Sequence, residues 1–162
     1  MNSTVHRMPV FISGVAVYWV VVFFAILFVF RSAFFYEGQI YFSLFDDAMI
    51  AMRYAHNLAE GHGLVWNPGE LPVEGYTNFL WVLWMSVPHW LGIDQRFTSL
   101  FVSVSGLLIL LISLWVTRKI ISESYPNNTL APIVGQWLVA TQYGLIFWTL
   151  RGLEVGAVSL VF

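Results

Sequence analysis

Three uncharged stretches set the pattern of this chain: Pro9 to Phe30, Phe97 to Thr117 and Leu130 to Leu150. Each holds 21 or 22 residues, and at about 1.5 Å of rise per residue a helix of that length crosses a hydrocarbon core of ~30 Å. The pattern predicts three membrane-spanning helices, at about residues 9–30, 97–117 and 130–150. A fourth apolar run starts at Val155 and stops after eight residues, at Phe162. Eight residues do not cross, so the sequence is expected to be the N-terminal part of a longer polytopic protein, inactive by itself. The first stretch competes with a cleaved signal peptide. Such a peptide has an apolar region of only ~7 to 15 residues and a small-residue cleavage site, which Arg31-Ser32-Ala33-Phe34-Phe35 does not supply.

Between the first two spans lies a polar segment, residues 36–96. Ser43-Leu44-Phe45-Asp46 has the form of a capping box, predicting a helix over about 44–60 that Gly61 and Gly63 stop. Within it Asp46, Arg53, Asn57 and Glu60 recur at helical spacing on one face, and Ala51, Ala55 and Leu58 mark another. An amphipathic helix of this kind suits a membrane surface, with the alanine stripe packed inward and Arg53 and Asn57 towards water. Asn67-Pro68-Gly69 is a turn, and Pro72 keeps the chain extended up to Glu74. Residues 78–91 are apolar and rich in Trp81, Trp84 and Trp90, but short, and Pro88-His89 is expected to break them. They read as a juxtamembrane or half-inserted helix.

Charge sets the orientation. His6 and Arg7 precede the first span, and Arg118-Lys119 follow the second and open a loop to Thr129; the positive-inside rule puts both on the cytoplasmic side. That requires residues 78–91 not to cross. The outer segment 36–96 then carries seven acids (Glu37, Asp46, Asp47, Glu60, Glu70, Glu74, Asp94) against Arg53 and Arg96. The third span returns the chain outside, so Arg151-Gly152-Leu153-Glu154 emerges on the same face as the acidic segment.

Composition agrees with this reading and narrows it. Of 162 residues 59% are hydrophobic, 18% aromatic and 10% charged, against roughly 25% charged in soluble domains. With no cysteine, the chain has no disulfide, no thiol nucleophile and no Cys-based metal site. A net charge of −2 offers no basic stripe, so nucleic acid is excluded as an expected partner. The expected fold class is an all-α membrane protein, a helical bundle with an extended outer loop carrying amphipathic juxtamembrane helices.

Candidate chemistry collects on the outer face. Asp46 and Asp47 open a helix, where the backbone dipole alone favours acids. Two adjacent carboxylates at a water–lipid boundary can also hold a divalent cation or take a proton from a hydroxyl. Glu74, Arg151 and Glu154 are either ordinary charges at helix ends, with Arg151 and Glu154 paired at a spacing of three, or residues facing a shared cavity. His56, His62 and His89 lack a metal-ligand spacing such as His-Glu-x-x-His, and no phosphate-binding loop or nucleophile elbow is present.

At these residues the chain resembles a known family. An outward span, the Asp46-Asp47 pair opening DDAMIAMRYAHNLAEGHGLVWNPGE, then VEGYTNFLW and RGLE, look like the first outer loop and third-span exit of the GT-C superfamily. These are bacterial membrane glycosyltransferases that use polyprenyl-phosphate sugars, and the wording is most similar to the terminal arabinofuranosyltransferase branch and its relatives. The resemblance implies a GT-C-like bundle in the bacterial inner membrane, N-terminus cytoplasmic. It implies a polyprenyl-phosphate sugar donor, a glycan or lipid acceptor in envelope synthesis, and inversion at the anomeric carbon. It makes Asp46 the family's acid acting as base or metal ligand, with Asp47 beside it. Glu74 and Tyr76 fall at substrate-binding positions, Glu154 matches an acid after the third span, and Gly75 stands where the aminoarabinose branch has a lysine that contacts phosphate. Arg151 is the candidate to replace that lysine.

Two rival classes remain open on the sequence: a non-catalytic assembly or scaffold factor, and a transporter. A transporter predicts ionisable residues or broken helices inside the spans, and the spans are uncharged.

Overall fold

The computed structural model describes residues 3–161, with side chains from Gly14 onward; the side chains of His6 and Arg7 lie outside the described residues. Among them the chain forms α1 (Ser3–Arg31), a hairpin of β1 (Ala33–Tyr36) and β2 (Gln39–Phe42), α2 (Asp46–Ala59), α3 (Phe79–Trp90), α4 (Gln95–Ser124), α5 (Ala131–Ala140), α6 (Tyr143–Leu150) and α7 (Val155–Val161). Two helices, α1 from Gly14 and α4, are long and apolar enough to cross a membrane.

These two helices form the frame. Val17, Val21, Ala25 and Val29 recur every fourth residue on α1 and are buried, the spacing of a single helix face. The first three join Leu110 and Leu114 of α4 in one core. Gly14 lies against the Arg118 guanidinium, whereas Val29 shares a niche with Leu100 and Ser103. The helices therefore run antiparallel, and Arg31 ends beside the start of α4. On α4, Ser99, Ser103, Gly106 and Ser113 are buried, small side chains that let backbones approach closely. A Cβ on Gly106 would stand 2.5 Å from the Thr149 carbonyl, so α6 packs there backbone to helix. A second core joins Leu44, Ala48, Ala51 and Ala55 of the α2 region to Trp81, Val82 and Met85 of α3 and Val102 of α4.

The structure departs from the sequence expectations at several points. The third predicted span is two helices, α5 and α6, separated at Thr141-Gln142. The Trp137 carbonyl accepts from both Thr141 N–H at 3.0 Å and Thr141 Oγ1 at 2.8 Å, closing α5, and Gln142 is extended at φ −73°, ψ 91°. The second long helix begins at Gln95 and runs on to Ser124, so Arg118 and Lys119 lie within it and not in a loop. Arg118 Nη1 donates to Gln136 Oε1 at 3.2 Å, and Gln136 Nε2 donates to Tyr18 Oη at 3.0 Å, a polar tie among α4, α5 and α1.

Residues 33–42 add strand to the expected all-helical class. Tyr36 pairs with Gln39 across Glu37-Gly38, both at positive φ (48° and 74°), as the tightest hairpin turn requires. Pro88 does not break α3. It lies buried inside the helix, which ends where Ile93 N–H donates to the Pro88 carbonyl and Gly92 N–H to that of His89, a Schellman stop. On α2, Ala51 and Ala55 are buried and Arg53 is exposed, but Asn57 is buried instead of facing water. The segment after Gly61 folds back over the helix, and Asn57 Nδ2 donates to the Val65 and Trp66 carbonyls at 2.7 and 3.0 Å.

Candidate functional site

The hairpin, α2, α3 and the α6–α7 turn meet at the Arg31 end of α1. The centre of this assembly is Arg151-Gly152-Leu153-Glu154. Gly152 N–H donates to the Thr149 carbonyl at 3.3 Å and Leu153 N–H to that of Trp148 at 3.0 Å, closing α6 with a Schellman motif whose turning residue, Gly152, sits at φ 93°. Three bonds fasten the turn to its surroundings. Phe45 N–H donates to the Arg151 carbonyl at 2.9 Å, Trp81 Nε1 donates to the Gly152 carbonyl at 2.8 Å, and Asn78 Nδ2 donates to Glu154 Oε2 at 2.7 Å. The entry to α2 and the start of α3 are thus both anchored on one turn. Glu154 is engaged by Asn78, and among the described residues Arg151 and Glu154 form no ion pair.

Asp46 and Asp47 occupy the first turn of α2 and are exposed. The expected capping box does not form: Ser43 Oγ donates to the Ser32 carbonyl at 3.2 Å, so Ser43 is held at the exit of the hairpin and α2 begins beyond it. Phe45, extended at φ −70°, ψ 157°, is the cap residue and offers no side-chain acceptor. Asp46 Oδ1 accepts from Asp47 N–H at 2.9 Å. The remaining N–H groups of that turn favour anionic groups nearby.

Glu74 and Tyr76 belong to a neighbouring patch. Tyr54, eight residues or about 12 Å along α2 from Asp46, donates its hydroxyl to the Val73 carbonyl at 2.7 Å and stacks edge-on with Tyr76 at 4.9 Å between ring centroids. Glu74 is exposed. Among the described residues its carboxylate has no hydrogen bond or ion pair with Asp46, Arg151 or Glu154. The structure therefore ties Phe45, the residue before Asp46-Asp47, to the Arg151–Glu154 turn by one backbone bond, and leaves Glu74 in the segment held by Tyr54.

Two groupings escape sequence reasoning. One is a cleft of about 460 Å³ between the end of α1, the hairpin base and the α6 terminus, with Arg31 and Arg151 both in its wall. The other gathers the histidines that lack any motif spacing. His56 Nε2 lies 3.2 Å and His62 Nε2 3.6 Å from the Glu60 carboxylate, and the His56 and His89 rings are 5.0 Å apart. Burial, then the neighbouring His56, lowers the His89 pKa below its ordinary value, with Glu60 opposing. Helical i, i+4 spacing of His56 and Glu60 was the one readable signal; His89 arrives from α3.

Among the described residues no three His, Asp or Glu side chains are grouped to hold a metal ion. Magnesium needs only one or two carboxylates when phosphates complete its shell, and the exposed Asp46-Asp47 pair fits that donor set. No family model matches the chain, and neither a curated protein nor a solved structure is detectably similar to it.

Proposed function

We propose that this chain is part of a multi-pass membrane glycosyltransferase that moves a sugar from a polyprenyl phosphate to an acceptor hydroxyl at the outer face of a bacterial inner membrane. The observation that carries the proposal is the backbone bond from Phe45, next to Asp46-Asp47, to Arg151 at one end of the two long apolar helices. The apolar helices support the membrane setting in a second way: opposite its buried stripe, α1 exposes Trp19, Phe23 and Phe30, and α4 exposes Leu108, Ile112 and Trp115. Soluble monomers rarely present apolar faces of this extent; lipid would cover them.

In the proposed reaction the bond between the anomeric carbon and the lipid phosphate oxygen breaks, and a bond to the acceptor oxygen forms on the opposite face. Asp46 takes the acceptor proton. The leaving phosphate keeps the electron pair, and its charge is met by Arg151. In the alternative role, Asp46 and Asp47 would hold a divalent cation that supplies charge stabilisation to the phosphate, and Asp46 would then not be the base. Asp46→Asn separates this reading from a scaffold: the substitution keeps the shape of the helix start and removes the proton acceptor, so transfer is lost while insertion and any partner binding persist.

The break between α5 and α6 favours one second reading. Interrupted helices build substrate sites in transporters, and Thr141 and Gln142 are exposed. No Asp, Glu, Lys, Arg or His lies between Leu130 and Leu150, where a coupled transporter places its relay; glycosyl transfer remains the better supported function.

A further inference from the structure

The cleft between α1, the hairpin and the α6–α7 turn is lined by two arginines and an apolar wall. Arg31 closes α1 and Arg151 closes α6; Phe34 and Phe147 line the same space, together with Ser32 and Ser43. No carboxylate lines it. Among the described residues neither arginine has an acidic partner within ion-pair distance, and Arg151 Nε is enclosed with no hydrogen-bond acceptor. Enclosing a charged donor without a partner is costly, and two like charges facing one space repel unless an anion lies between them. The serines do not supply donors: Ser32 Oγ donates to the Val29 carbonyl at 2.7 Å and Ser43 Oγ to that of Ser32 at 3.2 Å. Ligand recognition in the cleft therefore falls to the two planar forks, whose geometry suits phosphate oxygens.

We propose that this cleft binds the phosphate of a membrane lipid, with Arg31 and Arg151 clamping the headgroup and the chains leaving past Phe34 and Phe147. The apolar wall argues for a lipid over a free anion. So does the hairpin, which rises directly from the end of an apolar span and exposes Phe35 and Tyr36, the residue types that settle at headgroup level. The inference rests on the membrane setting proposed above and not on the transfer reaction. A bulk phospholipid and a lipid-carrier phosphate share the recognised chemistry.

The test titrates the protein in neutral detergent and follows the fluorescence of Trp148, which stands edge-on to Phe45 at 4.9 Å and to Phe147 at 4.8 Å beside the cleft. The other tryptophans contribute background that ligand-free controls remove. Separate arms use dioctanoyl phosphatidic acid, a short polyprenyl phosphate, dioctanoyl phosphatidylcholine and inorganic phosphate. Saturable binding of the lipid phosphates is expected, with Arg31→Gln and Arg151→Gln each weakening it about tenfold or more, the effect of one charge-assisted hydrogen bond. Preference for the polyprenyl phosphate assigns the cleft to a carrier, and equal binding of both lipid phosphates assigns it to membrane lipid. Inorganic phosphate binding as tightly as the lipids, or phosphatidylcholine binding equally, overturns the proposal. So does unchanged affinity in Arg31→Gln, whose side chain is exposed. Because no sugar is present, failed transfer leaves this result standing; failed binding removes Arg151 from the phosphate role proposed above and leaves the role of Asp46 standing.

Discussion

Replacing Gly152 by alanine tests whether the α6–α7 turn organises the site. At φ 93° an alanine is strained by about 1–3 kcal/mol. Its Cβ would also stand 2.8 and 3.0 Å from the two Leu44 methyl carbons and 3.1 Å from the Ala48 Cβ, and overpacking of this kind costs a further 1–3 kcal/mol or about that. Leu44 and Ala48 are both buried, so neither side chain can move into solvent. A total of about 3 kcal/mol corresponds to a fall of roughly 6–12 °C in Tm for a chain of this size. The control is Gly144→Ala in α6, the helix that this turn closes. Nothing lies within 4 Å of the Cβ it would add, and helix propensity favours alanine there by up to about 1 kcal/mol. Thermal unfolding of both variants in one detergent, followed by tryptophan fluorescence, gives the comparison. A Gly152→Ala protein that melts with the wild type, or a Gly144→Ala protein that melts lower than it, would refute the packing described for this turn.

Single cysteines at Glu70 and Asn128, probed with an impermeant thiol reagent in whole cells, are expected to label at Glu70 and never at Asn128. Labelling at both Glu70 and Asn128 would require α3 to cross. The folded-state pKa of His89 is lowered, so the unfolded chain binds its proton first as pH falls. Stability from this site is therefore complete above the ordinary histidine value of about 6.5 and is lost as pH drops through the lower folded value. His89→Gln should flatten the pH dependence of unfolding below about pH 6.5, and a profile identical to that of the wild type would show that His89 carries none of it.

Helix positions were legible where periodicity was strong. The helices α2 and α3 fall within two residues of the segments predicted at 44–60 and 78–91, because the alanine stripe and the tryptophan-rich run each repeat at helical spacing. The break in the third predicted span was not legible from hydropathy, since Thr141 and Gln142 are uncharged and the break is a local extension of the backbone at Gln142. The hairpin was missed because its turn, Glu37-Gly38, puts a glutamate where asparagine or glycine is the usual sign. At the site, Arg151 and Glu154 could be chosen from sequence as charges flanking an apolar run. Arg31 could not, because its relation to Arg151 depends on α1 and α6 ending side by side. Asn57 misled for a related reason: a polar residue on the charged face of a helix is indistinguishable in sequence from one that a later loop covers.

The proposed chemistry is tested most directly by transfer of radiolabelled sugar in membranes that express the native reading frame containing this chain. Polyprenyl-phosphate sugar and the corresponding nucleotide sugar are supplied in parallel, with the lipid-linked donor presented on the outer side. Label should pass into acceptor glycan from the lipid-linked donor, and Asp46→Asn at matched expression should reduce the rate by about 10²- to 10⁴-fold, the usual contribution of a positioned general base. Transfer no greater than in membranes lacking the protein, or undiminished transfer by Asp46→Asn, would contradict the assignment of Asp46 to catalysis.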